Sequence, residues 1–103
     1  MKQFFVVIGT DRPGMREVRE QIRPTHRAYL RAPEPHPVSV RLGGPLLEPE
    51  GGRMNGTLLV VAAESIEDVE KFVRGDPYSQ ANLFEHVAIL PWSWTLGNPE
   101  RSA

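Results

Sequence analysis

Two stretches of this chain are strongly apolar and have no polar face. Residues 4–8 read Phe-Phe-Val-Val-Ile, and residues 56–63 pass from Gly-Thr into Leu-Leu-Val-Val-Ala-Ala. Aromatic and β-branched residues favour strands, and a strand that is apolar throughout is typically buried on both faces. The chain can therefore fold only into a structure in which both faces of its sheet are covered.

A helix is predicted between these strands from the spacing of four inward residues. Val18, Ile22, His26 and Tyr29 recur at intervals of four, four and three, which lines one face of a helix. Pro24 removes a backbone donor and clashes with the preceding turn, so we expect a kink or a restart near Arg23. If the helix restarts at Pro24, His26 lies near a helix N-terminus, where the dipole favours a neutral imidazole that can act as a base.

A strand and a hairpin follow this helix. Residues 32–37 contain three prolines, whereas Val38, Val40 and Leu42 alternate with polar residues as in a half-buried strand. The turn chemistry of residues 48–52 joins this strand to residues 56–63. The Gly43-Gly44-Pro45 sequence within this hairpin predicts either a bulge or a close approach of backbone to a ligand.

The second half of the chain reads as a capped helix, a short turn and a strand. Ser65 begins the helix in a capping-box-like sequence, and Gly75 suits its end. Its inward stripe comprises Ile66, Val69, Phe72 and Val73. Asp76-Pro77 is typical of a cap followed by a first-position proline, which predicts one helical turn through Asn82. Residues 84–95 form the last strand, with Phe84 and His86 on the same face, and residues 97–103 form a flexible tail.

The resulting order, β-α-β-β-α-β, predicts an α+β protein in one domain of residues 1–96. It suits a ferredoxin-like arrangement, a four-stranded antiparallel sheet with two helices on one face. The helices leave the other sheet face uncovered, although the strands are apolar there too. A second copy of the chain is the economical cover, so we expect a homodimer.

Composition excludes several classes of function. Lys plus Arg number 12 against 13 Asp plus Glu, so no basic field favours nucleic acid. The absence of cysteine removes disulfides, thiolate nucleophiles and sulfur ligands. No apolar run approaches the roughly 20 residues of a membrane span, and we expect a cytoplasmic protein. His36 and His86 show no metal-binding spacing with His26, and neither a metal nor another cofactor is predicted.

Four separated blocks in the sequence resemble the YCII-related family. They are residues 23–30 (RPTHRAYL), 43–47 (GGPLL), 75–78 with 83–85 (GDPY and LFE), and 91–94 (PWSW). The resemblance implies a dimeric α/β barrel of ferredoxin-like protomers, with an acid–base pair that maps onto His26 and Asp76. Thr25 and Ser79 are mild departures from the family pattern, and Arg27 is expected to alter the rim of the pocket.

These observations lead to one main functional hypothesis. His26 and Asp76 are the predicted catalytic residues of a cofactor-independent lyase or isomerase acting on a small cyclic or carbonyl substrate. The predicted substrate-binding residues are Gly44, Pro45, Tyr78 and Ser79, of which Ser79 is placed near His26 by the resemblance alone. The alternative is a non-catalytic small-ligand-binding or accessory homodimer, in which the contact between His26 and Asp76 only holds the helix against the loop.

Overall fold

The computed structural model describes residues 2–100 and contains four strands and three helices. The strands are β1 (Gln3–Asp11), β2 (Val38–Leu47), β3 (Met54–Ala63) and β4 (Phe84–Trp92). The helices are α1 (Arg16–Arg31), α2 (Ile66–Gly75) and the single turn α3 (Pro77–Gln80). The last strand ends three residues earlier than predicted, and the chain order is otherwise the predicted one.

The four strands form one antiparallel sheet in the order β2-β3-β1-β4. This topology confirms the predicted α+β, ferredoxin-like fold and the hairpin of β2 with β3. The register of β2 shifts between Val40 and Leu42, whereas Gly43, Gly44 and Pro45 pair regularly with β3, so a bulge at the predicted glycines is wrong. The helix-facing side of the sheet carries the core, in which Phe5 and Val61 pack with Val69 and Phe72 of α2.

The opposite face of the sheet is apolar and carries no helix. Leu42, Val60, Val6 and Leu90 are cross-strand partners in one row across all four strands, and such partners point to the same face. Leu42 and Leu90 at the two ends of the row are 51% and 50% exposed. The apolar sequence of the strands predicts that both faces of the sheet are covered, but in the single protomer the helices cover only one of them.

Pro24 does not interrupt α1, and the expected restart is wrong. The helix runs through Pro24 from Arg16 to Arg31, so His26 lies in its third turn and not at an N-terminus. The dipole argument for a neutral imidazole therefore does not apply. Tertiary contacts hold the helix on both sides of the proline, through Arg19 on one side and His26 on the other, and such packing outweighs local propensity.

A second irregularity turns Phe84 toward the helices. The register of β1 with β4 shifts between Thr10 and Asp11, so that Thr10 pairs with His86 and Asp11 with Phe84. The extra residue, Glu85, breaks the strict alternation from which Phe84 and His86 were placed on one face, and that placement is wrong. The Phe84 ring instead lies over Gly9, where a Cβ would be 2.6 Å from the nearest ring carbon.

The Gly9→Ala substitution should destabilise the protein because its methyl group would overlap the Phe84 ring. Overpacking of this kind costs about 1–3 kcal/mol, measured as the free energy of unfolding in urea. Gly44→Ala is the matched control, since a Cβ there has nothing within 4 Å. Equal stability of the two variants would show that the Phe84 ring can move away without cost.

Candidate functional site

His26 and Asp76 meet although they are 50 residues apart in the chain. The Nδ1 atom of His26 lies 2.8 Å from Oδ1 of Asp76, and the two residues are only 5% and 4% exposed. His26 projects from α1, whereas Asp76 occupies the junction between α2 and α3. A buried carboxylate is stable only with hydrogen-bond partners, and the imidazole is one of them.

The same carboxylate oxygen also organises the backbone of α3. The amide N–H of Tyr78 donates to Oδ1 of Asp76 over 2.9 Å, and Pro77 follows Asp76 in the first helical turn. The side chain therefore caps α3 as its position in the sequence predicts. The capping role and the contact with His26 coexist on one oxygen atom.

The ring of Tyr78 lies between the histidine and a buried arginine. It stacks on the His26 imidazole with centroids 3.9 Å apart and an interplanar angle of 17°. The Arg19 guanidinium lies 4.5 Å from the centre of the same ring, at a distance typical of cation–π contact. Asp11 accepts two hydrogen bonds from this guanidinium, at 2.6 and 2.8 Å, and Thr57 accepts a third at 2.8 Å.

A cavity of about 700 Å³ opens beside these residues, between α1 and β2. His26, Tyr78, Gly44 and Pro45 line it, whereas Asp76 lies behind His26 and is not part of the lining. Ser79, predicted to bind substrate, does not line the cavity either. Successive residues of a helix point about 100° apart, so the inward orientation of Tyr78 directs Ser79 elsewhere.

Most of the charged residues around the cavity were not predicted from the sequence. Its lining includes five arginines, of which only Arg27 was expected at the rim; they are Arg19, Arg23, Arg27, Arg31 and Arg41. The four on α1 recur at intervals of four residues, a signal that was available in the sequence. Periodicity alone could not distinguish an arginine row facing a cavity from one facing solvent.

The hydrogen bond to Asp76 determines which atom of His26 is available for chemistry. A carboxylate only accepts hydrogen bonds, so Nδ1 carries the proton that it donates to Asp76, and the neutral ring keeps its lone pair on Nε2. No residue in the range 2–100 hydrogen-bonds to Nε2. A neutral histidine oriented in this way beside a cavity can accept a proton from a bound molecule.

Tyr29 ties α1 to the end of α2, next to Asp76. Its hydroxyl donates to the carbonyl of Phe72 over 2.6 Å, and its ring stacks on that of Phe72. A Cβ on Gly75 would lie 2.8 Å from the Tyr29 oxygen, so the glycine permits this approach. Burial, together with the negative charge of Asp76, raises the pKa of Tyr29 to about 12.

Burial also raises the pKa of Tyr78, although the positive charges of Arg19 and Arg23 oppose the shift. The phenol therefore stays protonated at neutral pH. Its buried oxygen has no hydrogen-bond partner within residues 2–100. Tyr78 thus lines the cavity as a residue, while its hydroxyl is a buried donor without a partner in the described range.

Two other kinds of site are absent from the described part of the chain. No group of three or more His, Asp or Glu side chains that could hold a metal ion occurs there. None of the three helices is long and apolar enough to cross a membrane. Of the predicted tail, residues 97–100 lie in the described range, where Glu100 forms an ion pair with Arg41; residues 101–103 lie outside it.

The fold and the cavity together define a small α+β protein of the ferredoxin-like class with a buried His–Asp pair. A family model described as the YCII-related domain matches residues 3–93. The chain belongs to this family, which confirms the resemblance seen in the sequence. Protein YciI of Escherichia coli O6:H1 is 26% identical over 93 residues, which cover 85% of this chain and 94% of YciI.

Solved structures extend the comparison. The 5-chloro-2-hydroxyhydroquinone dehydrochlorinase of Burkholderia phenoliruptrix AC1100, solved in complex with 2,5-dihydroxybenzoquinone, is 33% identical and superimposes with a TM-score of 0.78. The match covers 87% of this chain and 93% of the dehydrochlorinase. A NIPSNAP family protein from Agrobacterium tumefaciens, 16% identical with a TM-score of 0.56 over 98% of this chain and 100% of its own, shares the fold.

The Tyr29→Phe substitution tests the contact that ties α1 to α2. Below pH 10 the variant should be less stable by about 1 kcal/mol, because the carbonyl of Phe72 loses its donor. A pKa raised to about 12 means that the folded state holds the phenol proton more tightly than the unfolded state. The stability contributed by Tyr29 is therefore complete below pH 10 and is lost as the pH rises to about 12.

Urea unfolding at several pH values from 8 to 12 measures this difference. The gap in unfolding free energy between the natural protein and Tyr29→Phe should narrow above pH 10. All other titratable groups are present in both proteins, so their contributions to the difference in unfolding free energy cancel. Two parallel stability curves would show that Tyr29 does not titrate differently in the folded state.

Proposed function

We propose that the protein is a small-molecule enzyme in which His26 is the general base and Asp76 its orienting partner. The observation that carries this proposal is the position of the imidazole between a buried carboxylate and a cavity. The carboxylate binds Nδ1 at 2.8 Å, and the ring borders a space of about 700 Å³. A histidine with a purely structural role would need the hydrogen bond to Asp76 but no adjacent cavity. The cavity therefore favours a catalytic role for His26 over a purely structural one.

The proposed chemical step is a proton transfer. A C–H or O–H bond of the substrate breaks, the proton moves to Nε2, and the electron pair stays on the substrate as an enolate or phenolate. The imidazolium that forms is stabilised by the adjacent carboxylate of Asp76. A positioned general base contributes roughly 10²- to 10⁴-fold to a rate, which suits a substrate whose proton is already acidic.

The substrate is proposed to be a small cyclic or carbonyl compound, and the reaction that of a lyase or isomerase. The similar dehydrochlorinase acts on a hydroxylated, chlorinated ring and was solved with a dihydroxybenzoquinone. That similarity supports a ring-containing substrate and an elimination or isomerisation here. His26, Tyr78, Gly44 and Pro45 all border the cavity, which supports assigning the last three to substrate binding.

The His26→Gln substitution tests the catalytic assignment. Substituted hydroxyquinols and hydroxyquinones are screened by thermal shift and by absorbance to find a compound that the protein turns over. The variant should bind this compound with nearly the natural affinity but lose at least about 100-fold in kcat, because glutamine cannot take up the proton. His86→Gln is the matched control, since His86 lies on β4 outside the cavity lining and its substitution should leave kcat unchanged.

Retention of natural turnover by a folded His26→Gln variant would contradict the proposal. The same is true if His26→Gln and His86→Gln reduce kcat equally. A ligand that binds without being turned over by the natural protein would instead favour a non-catalytic ligand-binding protein. In that case the Asp76 contact would serve only to hold α1 against α3.

We propose further that the protein is a homodimer through the helix-free face of the sheet. Leu42 and Leu90, each about half exposed, end the apolar row across that face, and Trp92 is 39% exposed beside it. Clusters of exposed apolar side chains commonly mark interfaces. The same face of a second copy is its natural complement, because two apolar sheets pack face to face in symmetric dimers.

The Leu90→Glu substitution tests the dimer without disturbing the core. Its charge should dissociate the dimer, since an unpaired carboxylate would be buried at the interface, whereas the exposed position leaves the protomer folded. Light scattering at micromolar concentration should give the dimer mass for the natural protein and the monomer mass for the variant. Leu96→Glu, at a residue that is 90% exposed beyond β4, should remain dimeric. A monomeric natural protein would contradict the proposal.

A further inference from the structure

The cavity beside His26 carries a concentration of positive charge that the chain as a whole does not have. The formal net charge of the chain is −1, yet five arginines and one acidic residue, Glu34, line this space. Arg19 is neutralised by Asp11, and Arg41 pairs with Glu100. The remaining arginines, Arg23, Arg27 and Arg31, form no ion pair with any residue from 2 to 100.

The placement of these three arginines on one helix has an electrostatic cost. Like charges four residues apart on a helix repel each other, and none of the three arginines forms an ion pair within residues 2–100. Each step of four residues advances about 6 Å along the axis and turns about 40°. The row thus follows the cavity past His26, with Arg23 about one turn before it and Arg27 next to it.

Two further polar groups in the same wall lack partners. Within residues 2–100, the buried side-chain atoms without a hydrogen bond are the Tyr78 hydroxyl and Nε of Arg41. Both residues line this cavity, and Tyr78 is only 1% exposed. Buried polar atoms normally have partners. Each of these two residues therefore combines a buried donor that has no partner with a position in the wall that carries the unpaired arginines.

We infer that the ligand of this cavity is an anion, a small ring or carbonyl compound bearing a carboxylate that Arg23 and Arg27 hold while His26 faces the reacting part. This inference rests on the proposed function and specifies its substrate class. Guanidinium groups match carboxylates in charge and in paired donor geometry.

The experiment compares two probes that differ mainly in charge, 2,5-dihydroxybenzoate and the neutral 2,5-dihydroxybenzamide. Calorimetry should show the acid binding at least about tenfold more tightly than the amide. Arg23→Gln and Arg27→Gln should each reduce this preference severalfold, and the double variant should reduce it to within about twofold. Raising the salt concentration should weaken binding of the acid and leave the amide unaffected.

Matched variants separate the site from general charge effects. Arg74→Gln removes one exposed arginine from α2, outside the cavity lining, and should leave the preference unchanged. Arg23→Lys keeps the charge but loses the paired donors, so it should keep more of the preference than Arg23→Gln. Circular dichroism checks that each variant is folded.

Equal binding of the acid and the amide, or no saturable binding of the acid, would overturn the inference. An equal effect of Arg74→Gln and Arg23→Gln would overturn it as well. If the preference is absent while His26→Gln still abolishes turnover, the substrate class is wrong and the proposed catalytic role stands. If the preference is present while His26→Gln turns over normally, the catalytic role is wrong and the anion site stands.

Discussion

The arrangement around the cavity depends on one buried oxygen atom, Oδ1 of Asp76. It accepts the imidazole N–H of His26 at 2.8 Å and the backbone N–H of Tyr78 at 2.9 Å. These two bonds attach α1 to the start of α3, and they bring the Tyr78 ring parallel to the imidazole. The same atom thus orients the histidine, caps the short helix and positions the aromatic wall. A buried carboxylate with few hydrogen-bond donors would be costly, so α1 and α3 must pack closely around Asp76.

Arg19 provides a second buried anchor on the other side of Tyr78. It is 2% exposed, and its guanidinium binds Asp11 at the end of β1, Thr57 on β3 and the Tyr78 ring. Removing such a charge from water is costly, and its three hydrogen bonds to Asp11 and Thr57 offset that cost. The pair therefore contributes more to the geometry of α1 than to net stability. The contacts of Arg19 before Pro24, and those of His26 and Tyr29 after it, hold α1 in place and explain why the helix continues through the proline.

The distribution of charge gives the cavity its chemical character. Acidic residues nearly balance basic ones over the whole chain, but arginines dominate this single concave surface. Charges of one sign that line a cleft raise the local concentration of ligands of the opposite sign. In the proposed reaction, a base at Nε2 and nearby guanidinium groups are complementary, since the arginines hold an anionic ligand beside the atom that takes up the proton.

The sequence by itself determined the element order, the main caps and the chemistry that is absent. Those features depend on local interactions, namely the period of apolar residues, the hydroxyl of Ser65 and the carboxylate of Asp76 at helix starts, and the lack of cysteine. The pairing of His26 with Asp76 was expected only through the resemblance to the YCII-related family, because nothing local relates residues 50 positions apart.

Tertiary structure alone decided the continuity of α1, the orientation of Phe84, the exclusion of Ser79 from the cavity and the inward direction of the arginine row. Pro24 is tolerated because contacts on both sides of it outweigh one lost hydrogen bond, and Phe84 faces the helices because one extra residue shifts the register of β4. Each of these outcomes depends on which surfaces meet in three dimensions. A periodic pattern records which residues share a face, but the packing of distant segments decides what that face contacts.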